Sequence, residues 1–230
     1  MHCFPIRFPL RGLMFSLALG AAVGAASAEE GALSQLYAAR PPAGSSFVRV
    51  VNPAPAKLQV RVAEGPVQRV GGELPATSYA IVAGGRRFSV QVDGKPAASL
   101  EVKPNTFSTL VLRREGAQFA FTPIDDTAET PDALKAELRF YNLAEGCAKA
   151  QLALSPAGTP VFRDVAAGAS AARSVNPVKA SLSGQCGEAA TAAQALPALQ
   201  PGDYLSLFLV GPAGKPVLVM QPSRTDPVKR

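Results

Sequence analysis

Tryptophan is absent from this 230-residue sequence, and its single histidine is His2. Cysteine occurs only at positions 3, 147 and 186. These scarcities deepen once the N-terminus is read. Residues 1–11 carry Arg7 and Arg11 and no acid, and residues 12–25 (GLMFSLALGAAVGA) are an apolar run. Ala26-Ser27-Ala28 then places small residues just ahead of Glu29 and Glu30. That is the pattern of a secretory signal peptide over residues 1–28, with cleavage expected between Ala28 and Glu29. The run is short of the ~20 apolar residues that a span requires. No cysteine stands at the cleavage point to carry a lipid, and no later apolar run is long enough to span. The mature chain is therefore expected to be exported and not membrane-spanning.

Cleavage removes His2 and Cys3. Without histidine, a Ser or Cys nucleophile lacks its usual base, and a histidine metal site is excluded. Two Ser-Lys pairs remain at strand spacing, Lys179/Ser181 and Lys95/Ser99, but neither sits in a nucleophile turn and both read as solvated strand faces. Asp125, Asp126 and Glu129 are close in sequence, yet they fall in a polar connecting segment and read as solvating charges rather than a Ca²⁺ site. The glycine-rich turn Ala83-Gly84-Gly85 has no helix after it to cradle a phosphate. No catalytic residue, metal or cofactor is assigned, and the chain is read as a non-enzyme. The formal charge of +6 falls to +4 when Arg7 and Arg11 leave, and the charges are scattered. An acidic polysaccharide partner is compatible with that balance. Nucleic acid is not an expected partner of an exported chain with no basic stripe and no tryptophan.

The two remaining cysteines, Cys147 and Cys186, form an even pair in an oxidising compartment. They read as one disulfide stapling the C-terminal half, the alternative being two buried thiols. Twenty-one prolines and twenty glycines among many Val, Leu and Phe indicate short strands joined by turns. KLQVRV (57–62) alternates cleanly, and FSVQV (88–92) does the same before Asp93-Gly94, a type I′ hairpin signal. Such strands suit an antiparallel sandwich with one face buried and the other wet. TPIDDTAETPDA (122–133) lacks strand character and reads as an acidic linker. The alanine-rich stretch 184–200 is compatible with a helical turn or an extended arm.

The halves on either side of that linker rhyme. FVRVVN (47–52) matches LRFYNL (138–143), and KLQVRV matches AQLAL (150–154). IVAGGRRFSVQV (81–92) matches DVAAGASAARSV (164–175), and LEVKPNTFSTLVL (100–112) matches PALQPGDYLSLFL (197–209). Four correspondences in one order indicate a duplicated unit. The expected fold is all-β, with two tandem small antiparallel β-sandwich domains over residues 29–121 and 134–230, the first preceded by an arm.

Three blocks carry a further likeness. They are Leu36-Tyr37 with Pro42-x-Gly44-Ser45-Ser46-Phe47-Val48-Arg49-Val50 and Asn52, then Arg173-Ser174-Val175-Asn176-Pro177-Val178-Lys179, then Pro201-Gly202-Asp203-Tyr204-Leu205-Ser206-Leu207. In order and spacing they resemble the alginate biosynthesis protein AlgF family along most of the mature chain. The resemblance implies a periplasmic accessory or adaptor protein needed for O-acetylation of alginate at mannuronate O2 and O3. Its partners would be a membrane acyltransferase and SGNH-type periplasmic acetyltransferases. The cysteine pair and the 184–200 stretch depart from that likeness.

Residues assigned to partner docking on this reading are Tyr37, Ser45, Ser46, Arg49, Asn52, Asn176 and Lys179. The uncharged arm with Tyr37 either docks on a partner or packs on its own sandwich, and Asn176-Pro177 also reads as a turn. The alternative function is a carbohydrate-binding sandwich that holds the polysaccharide. It is disfavoured by the lack of Trp and by only four tyrosines, of which Tyr79, Tyr141 and Tyr204 lie in or beside strands.

Overall fold

A strand that alternates apolar with polar residues buries one face, and a strand apolar at nearly every position buries two. This chain contains both kinds, and the difference sets its layering. The computed structural model describes residues 41–127 and 132–228; the signal segment, the Ala28/Glu29 cleavage point, Tyr37 and Glu129 lie outside the described residues.

The first half forms β1 (Ser45–Val51), β2 (Leu58–Val62), β3 (Gln68–Val70), β4 (Ala80–Ala83), β5 (Phe88–Val92), β6 (Lys95–Leu100), β7 (Phe107–Glu115) and β8 (Gln118–Asp125). The second forms β9 (Ala136–Asn142), β10 (Lys149–Ser155), β11 (Pro160–Ala166), β12 (Ser170–Val175), β13 (Ser181–Cys186), β14 (Ala189–Ala190), β15 (Gln194–Ala195), β16 (Tyr204–Val210) and β17 (Val217–Pro222). Each half contributes two sheets. Their orders are β3-β2-β5-β6 and β4-β1-β7-β8 in the first half, and β11-β10-β13-β14 and β12-β9-β16-β17 in the second. Replacing β1 by β9, β2 by β10, β3 by β11, β4 by β12, β5 by β13, β6 by β14, β7 by β16 and β8 by β17 converts one half into the other, β15 being the one addition. The duplication is thus a property of the topology. Three of the four sequence correspondences fall on equivalent strands. The pairing of 81–92 with 164–175 does not, because it sets β4–β5 against β11–β12, one strand out of step. A shared Val-Ala-Gly turn is local chemistry and does not fix strand order.

The sheets are antiparallel except at β1–β7 and β9–β16, which pair in parallel. The outer sheets behave as expected. On β2, Val60 and Val62 are buried while Gln59 and Arg61 face water, and Asp93 and Gly94 both take the positive φ that a type I′ hairpin requires. The two inner sheets correct the expectation of one wet face. On β1, Val48 and Val50 enter the first core, while Val51 on the opposite face joins Val111, Tyr141 and Phe208 in a third cluster. On β16, Leu205, Leu207 and Leu209 enter the second core, while Phe208 and Val210 join that same third cluster. The inner sheets therefore pack on each other, giving four β-layers and three cores. Tyr141 and Phe208 stack across 4.9 Å within the middle core, a geometry that adds ~0.5–1.5 kcal/mol beyond burial.

The C-terminal segment reinforces this seam. Gln221 Nε2 donates to Ala76 O at 2.8 Å, the Ala76 N–H donates back to Gln221 Oε1 at 3.1 Å, and Tyr79 bridges Thr225 in parallel. The expected linker begins later than position 122, since β8 runs on to Asp125. Residues 184–200 are extended, with β14 and β15 both pairing β13. Cys147 and Cys186 are bonded, with Cα atoms 5.7 Å apart, tying the β9–β10 connection to the end of β13. Among the described residues no helix is long and apolar enough to cross a membrane.

Candidate functional site

Polar side chains are scarce in the seam, and those present converge. Period-2 geometry decides which they are. Val48 and Val50 turn to the first core, so Arg49 turns to the seam. Leu138 and Phe140 turn to the second core, so Arg139 and Tyr141 turn to the seam. The parallel partners carry hydroxyls at matching places: Arg49 lies opposite Thr109, and Arg139 opposite Ser206. Asp126, directly after β8, completes the set.

Arg49 is 1% exposed and fully engaged. Its Nε donates to Thr109 Oγ1 at 2.8 Å and its Nη1 to Ser223 Oγ at 3.2 Å. Its Nη2 donates to Tyr141 Oη at 2.6 Å and to Ser206 Oγ at 2.8 Å. The guanidinium also lies over the Tyr79 ring, 4.5 Å from its centroid. Asp126 accepts from Tyr79 Oη at 2.8 Å, from Tyr141 Oη at 2.8 Å and from the Thr109 hydroxyl. It stands 4.0 Å from Arg49 Nη2 and 3.8 Å from Arg139 Nη1. Arg139 pairs in turn with Glu137 at 3.0 Å.

Burial opposes the charge of Arg49, but Tyr141, Tyr79 and Asp126 around it outweigh that penalty and raise its pKa. Arg139 follows the same logic, with Tyr141, Asp126 and Glu137 as its supports. Burial pushes the Tyr141 phenol up to about 12 and Tyr79 well above the ordinary range. Both phenols therefore stay protonated and donate to Asp126.

The arrangement holds charge in place; it does not activate a nucleophile. Ser206 Oγ faces a guanidinium and the Ser223 hydroxyl at 2.9 Å, and neither removes a proton. The carboxylate's oxygens are taken by three hydroxyl donors. A cleft of about 300 Å³ opens beside this hub, with Asp126, Arg139 and Tyr141 on its inner wall and Tyr204, Arg224 and Asn105 towards its mouth. Among the described residues no group of three His, Cys, Asp or Glu is placed to hold a metal.

Four residues expected at a partner surface are internal. Ser45 is buried at the start of β1. Ser46 is fully buried, and its Oγ donates to Lys103 O at 2.6 Å. Arg49 is the hub. Asn52 Nδ2 donates to Ala56 O at 2.7 Å while its Oδ1 accepts from the Ala54 N–H at 3.1 Å, closing the β1–β2 connection. The correction has two causes: the face of β1 that carries Arg49 is covered by the second repeat, whereas Ser46 and Asn52 share the parity of Val48 and Val50 and are closed in by their own repeat. Asn176 and Lys179 are exposed on the connection between β12 and β13, remote in the chain from the hub. Lys179 lies outside any strand, so it does not share a strand face with Ser181.

Asp126, read from sequence as a solvating linker charge, is 5% exposed and the shared acceptor of the site. The sequence pattern assigns no role to Arg139, Thr109, Tyr141, Ser206 or Ser223 either. The available signal was an arginine placed centrally in each of two otherwise apolar strands, FVRVV and LRFY.

A family model described as alginate O-acetyl transferase AlgF matches residues 16–205. The chain is 30% identical over 218 residues to the alginate biosynthesis protein AlgF of Pseudomonas aeruginosa, an alignment covering 93% of this chain and 94% of that one. It is 28% identical over 211 residues to the protein of the same name from Pseudomonas putida, covering 90% and 93% respectively.

Proposed function

The chain belongs to the AlgF family, and on that premise we propose that it is a periplasmic accessory protein for O-acetylation of alginate or a related exopolysaccharide, acting without an acetyl-transferring site of its own. The observation that carries this reading is the hub. It is the densest cluster of hydroxyl, carboxylate and guanidinium groups described above, and its hydroxyls are committed to an arginine and an aspartate. Acetyl transfer through a serine needs a base to take the hydroxyl proton, and Arg49 is held in its charged form. The family description names an acetyl transferase, whereas the relatives' names speak of biosynthesis. An adaptor that positions a membrane acyltransferase and periplasmic acetyltransferases satisfies both.

The test is the acetyl-ester content of the secreted polysaccharide, read by proton NMR in cells lacking this protein. Loss of acetyl groups from polymer that is still made supports the reading. Restoration by the Ser206→Ala/Ser223→Ala variant separates adaptor from enzyme. Failure of that variant to restore acetylation while folded assigns the chemistry to this chain, and unchanged acetylation without the protein removes it from the machinery.

One observation favours a second reading, in which the chain holds the polymer. Tyr204 is 44% exposed and shares the cleft with Arg224, an aromatic ring and a cation suited to an acidic sugar. Titration with an oligouronate, followed by amide shifts around Tyr204, tests it; no shift at millimolar sugar discards it.

A further inference from the structure

The seam has another opening, lined by parts of both repeats: the β1–β2 and β9–β10 connections, the β7–β8 hairpin, and the β11–β12 turn. Together they bound a groove of about 820 Å³ whose apolar surface includes Pro53, Val111, Leu143 and Ala144. The hairpin carries Arg113 and Arg114, both exposed and, among the described residues, without a salt bridge. Arg113 reaches across the seam, its Nη2 lying 3.8 Å from where a Cβ on Gly168 would stand. Glu145 is the one acid on the lining, so cations outnumber anions there two to one.

The two asparagines of this groove differ. Asn52 Oδ1 is satisfied by the Ala54 N–H. Its counterpart Asn142 donates from Nδ2 to Cys147 O and Val165 O, both at 2.9 Å, but its buried Oδ1 has no partner. Native interiors rarely leave such an acceptor unmet.

We infer that this groove is the docking site for an extended segment of a partner protein, apolar at its centre and flanked by an acidic side chain. The apolar floor takes the segment, Arg113, which reaches across the seam, takes its carboxylate, and Arg114 adds positive charge at the rim. A sugar chain is the poorer fit. Phe119 is the only aromatic ring on the lining, and Arg114 already lies over it at 5.3 Å from the centroid, so its face is not free for stacking. Because both repeats line the groove, it exists only while the seam is closed. This inference rests on the adaptor reading and gives that reading a surface.

The experiment measures binding of the full mature chain to each purified periplasmic acetyltransferase of the polysaccharide machinery. Arg113→Glu/Arg114→Glu is expected to weaken binding about tenfold or more through like-charge juxtaposition. Arg86→Glu/Arg87→Glu, an equally exposed pair in the β4–β5 turn, is expected to leave it unchanged. Ala54→Glu, which adds an acid at the groove rim, is an independent second variant expected to weaken binding, and unchanged melting temperatures certify the folds. Binding that survives the first and third variants overturns the groove while sparing the adaptor reading. Binding lost equally in the control pair shows a general charge effect and also overturns it. No binding by the unsubstituted protein overturns both. An oligouronate that displaces no partner but shifts the amides of Gly146 and Gly168 makes the occupant polysaccharide and overturns the protein segment.

Discussion

At equivalent positions the two repeats make different choices. Two residues beyond the cross-strand partner of Thr109 stands Asp126; two beyond the partner of Ser206 stands Ser223. Val51 in the first repeat corresponds to Tyr141 in the second, and Asn52 to Asn142. The first repeat supplies the one carboxylate that both seam arginines share. The second supplies the two stacked rings of the middle core, Tyr141 and Phe208, and the disulfide. The difference teaches how a repeated fold acquires a polar centre: one strong acceptor serves two cations when the surrounding donors also come from both sides.

The sharpest way to break the comparison is Asp126→Ala against Ser223→Ala. Removing the acid leaves the buried Arg49 without a carboxylate, while Arg139 keeps Glu137, and is expected to cost about 3–5 kcal/mol. Removing the serine deletes one hydrogen bond from the guanidinium and one with the Ser206 hydroxyl and should cost about 1–2 kcal/mol. Calorimetry reads both, and a second transition in Asp126→Ala would show the repeats melting apart. Next in size is the Cys147→Ser/Cys186→Ser pair, which releases a 39-residue separation and should cost about 3–4 kcal/mol on the chain-entropy account. Hydrogen exchange should place that loss in the second repeat.

Alkaline titration probes the Val51/Tyr141 difference. Burial raises Tyr141 to about 12, so the folded state prefers its phenol protonated. The associated stability is complete below the unfolded value near 10 and is lost as pH rises towards 12. Phenolate absorbance should appear together with unfolding, and Tyr141→Phe should reduce that alkaline sensitivity without abolishing it, since Tyr79 remains. The smallest expected effect separates the asparagines. Asn52→Ala loses satisfied bonds and should cost about 2 kcal/mol. Asn142→Ala removes an unmet acceptor along with two donors and should cost less, as chemical denaturation would show.

Much of this architecture is legible in residues. KLQVRV and FSVQV announce half-buried outer strands, and the rhyme of FVRVVN with LRFYNL marks the strands that carry the seam. STLVL and LSLFLV, apolar almost throughout, already describe strands buried on both faces. What periodicity cannot say is what covers the second face, and for that reason the pattern assigns Arg49 to a partner surface although it faces the other repeat. Asp126 was hidden differently. In TPIDDTAETPDA its neighbours are polar and bounded by prolines, and no local pattern tells a solvated acid from one that folds back among two phenols and a threonine. The groove was invisible because its lining comes from four connections distant in sequence.

The seam has the form of an interface between identical subunits. Each repeat presents the same face to the other, Val51 with Val111 against Tyr141 with Phe208, as in an isologous dimer. Such a contact uses up both faces and closes, so the array ends at two. Joining the halves in one chain also lifts a restriction that binds every true homodimer, where any substitution near the axis must appear twice. Two acids there would repel and none would leave Arg49 unmatched; a single polypeptide can place an aspartate on one side and a serine on the other.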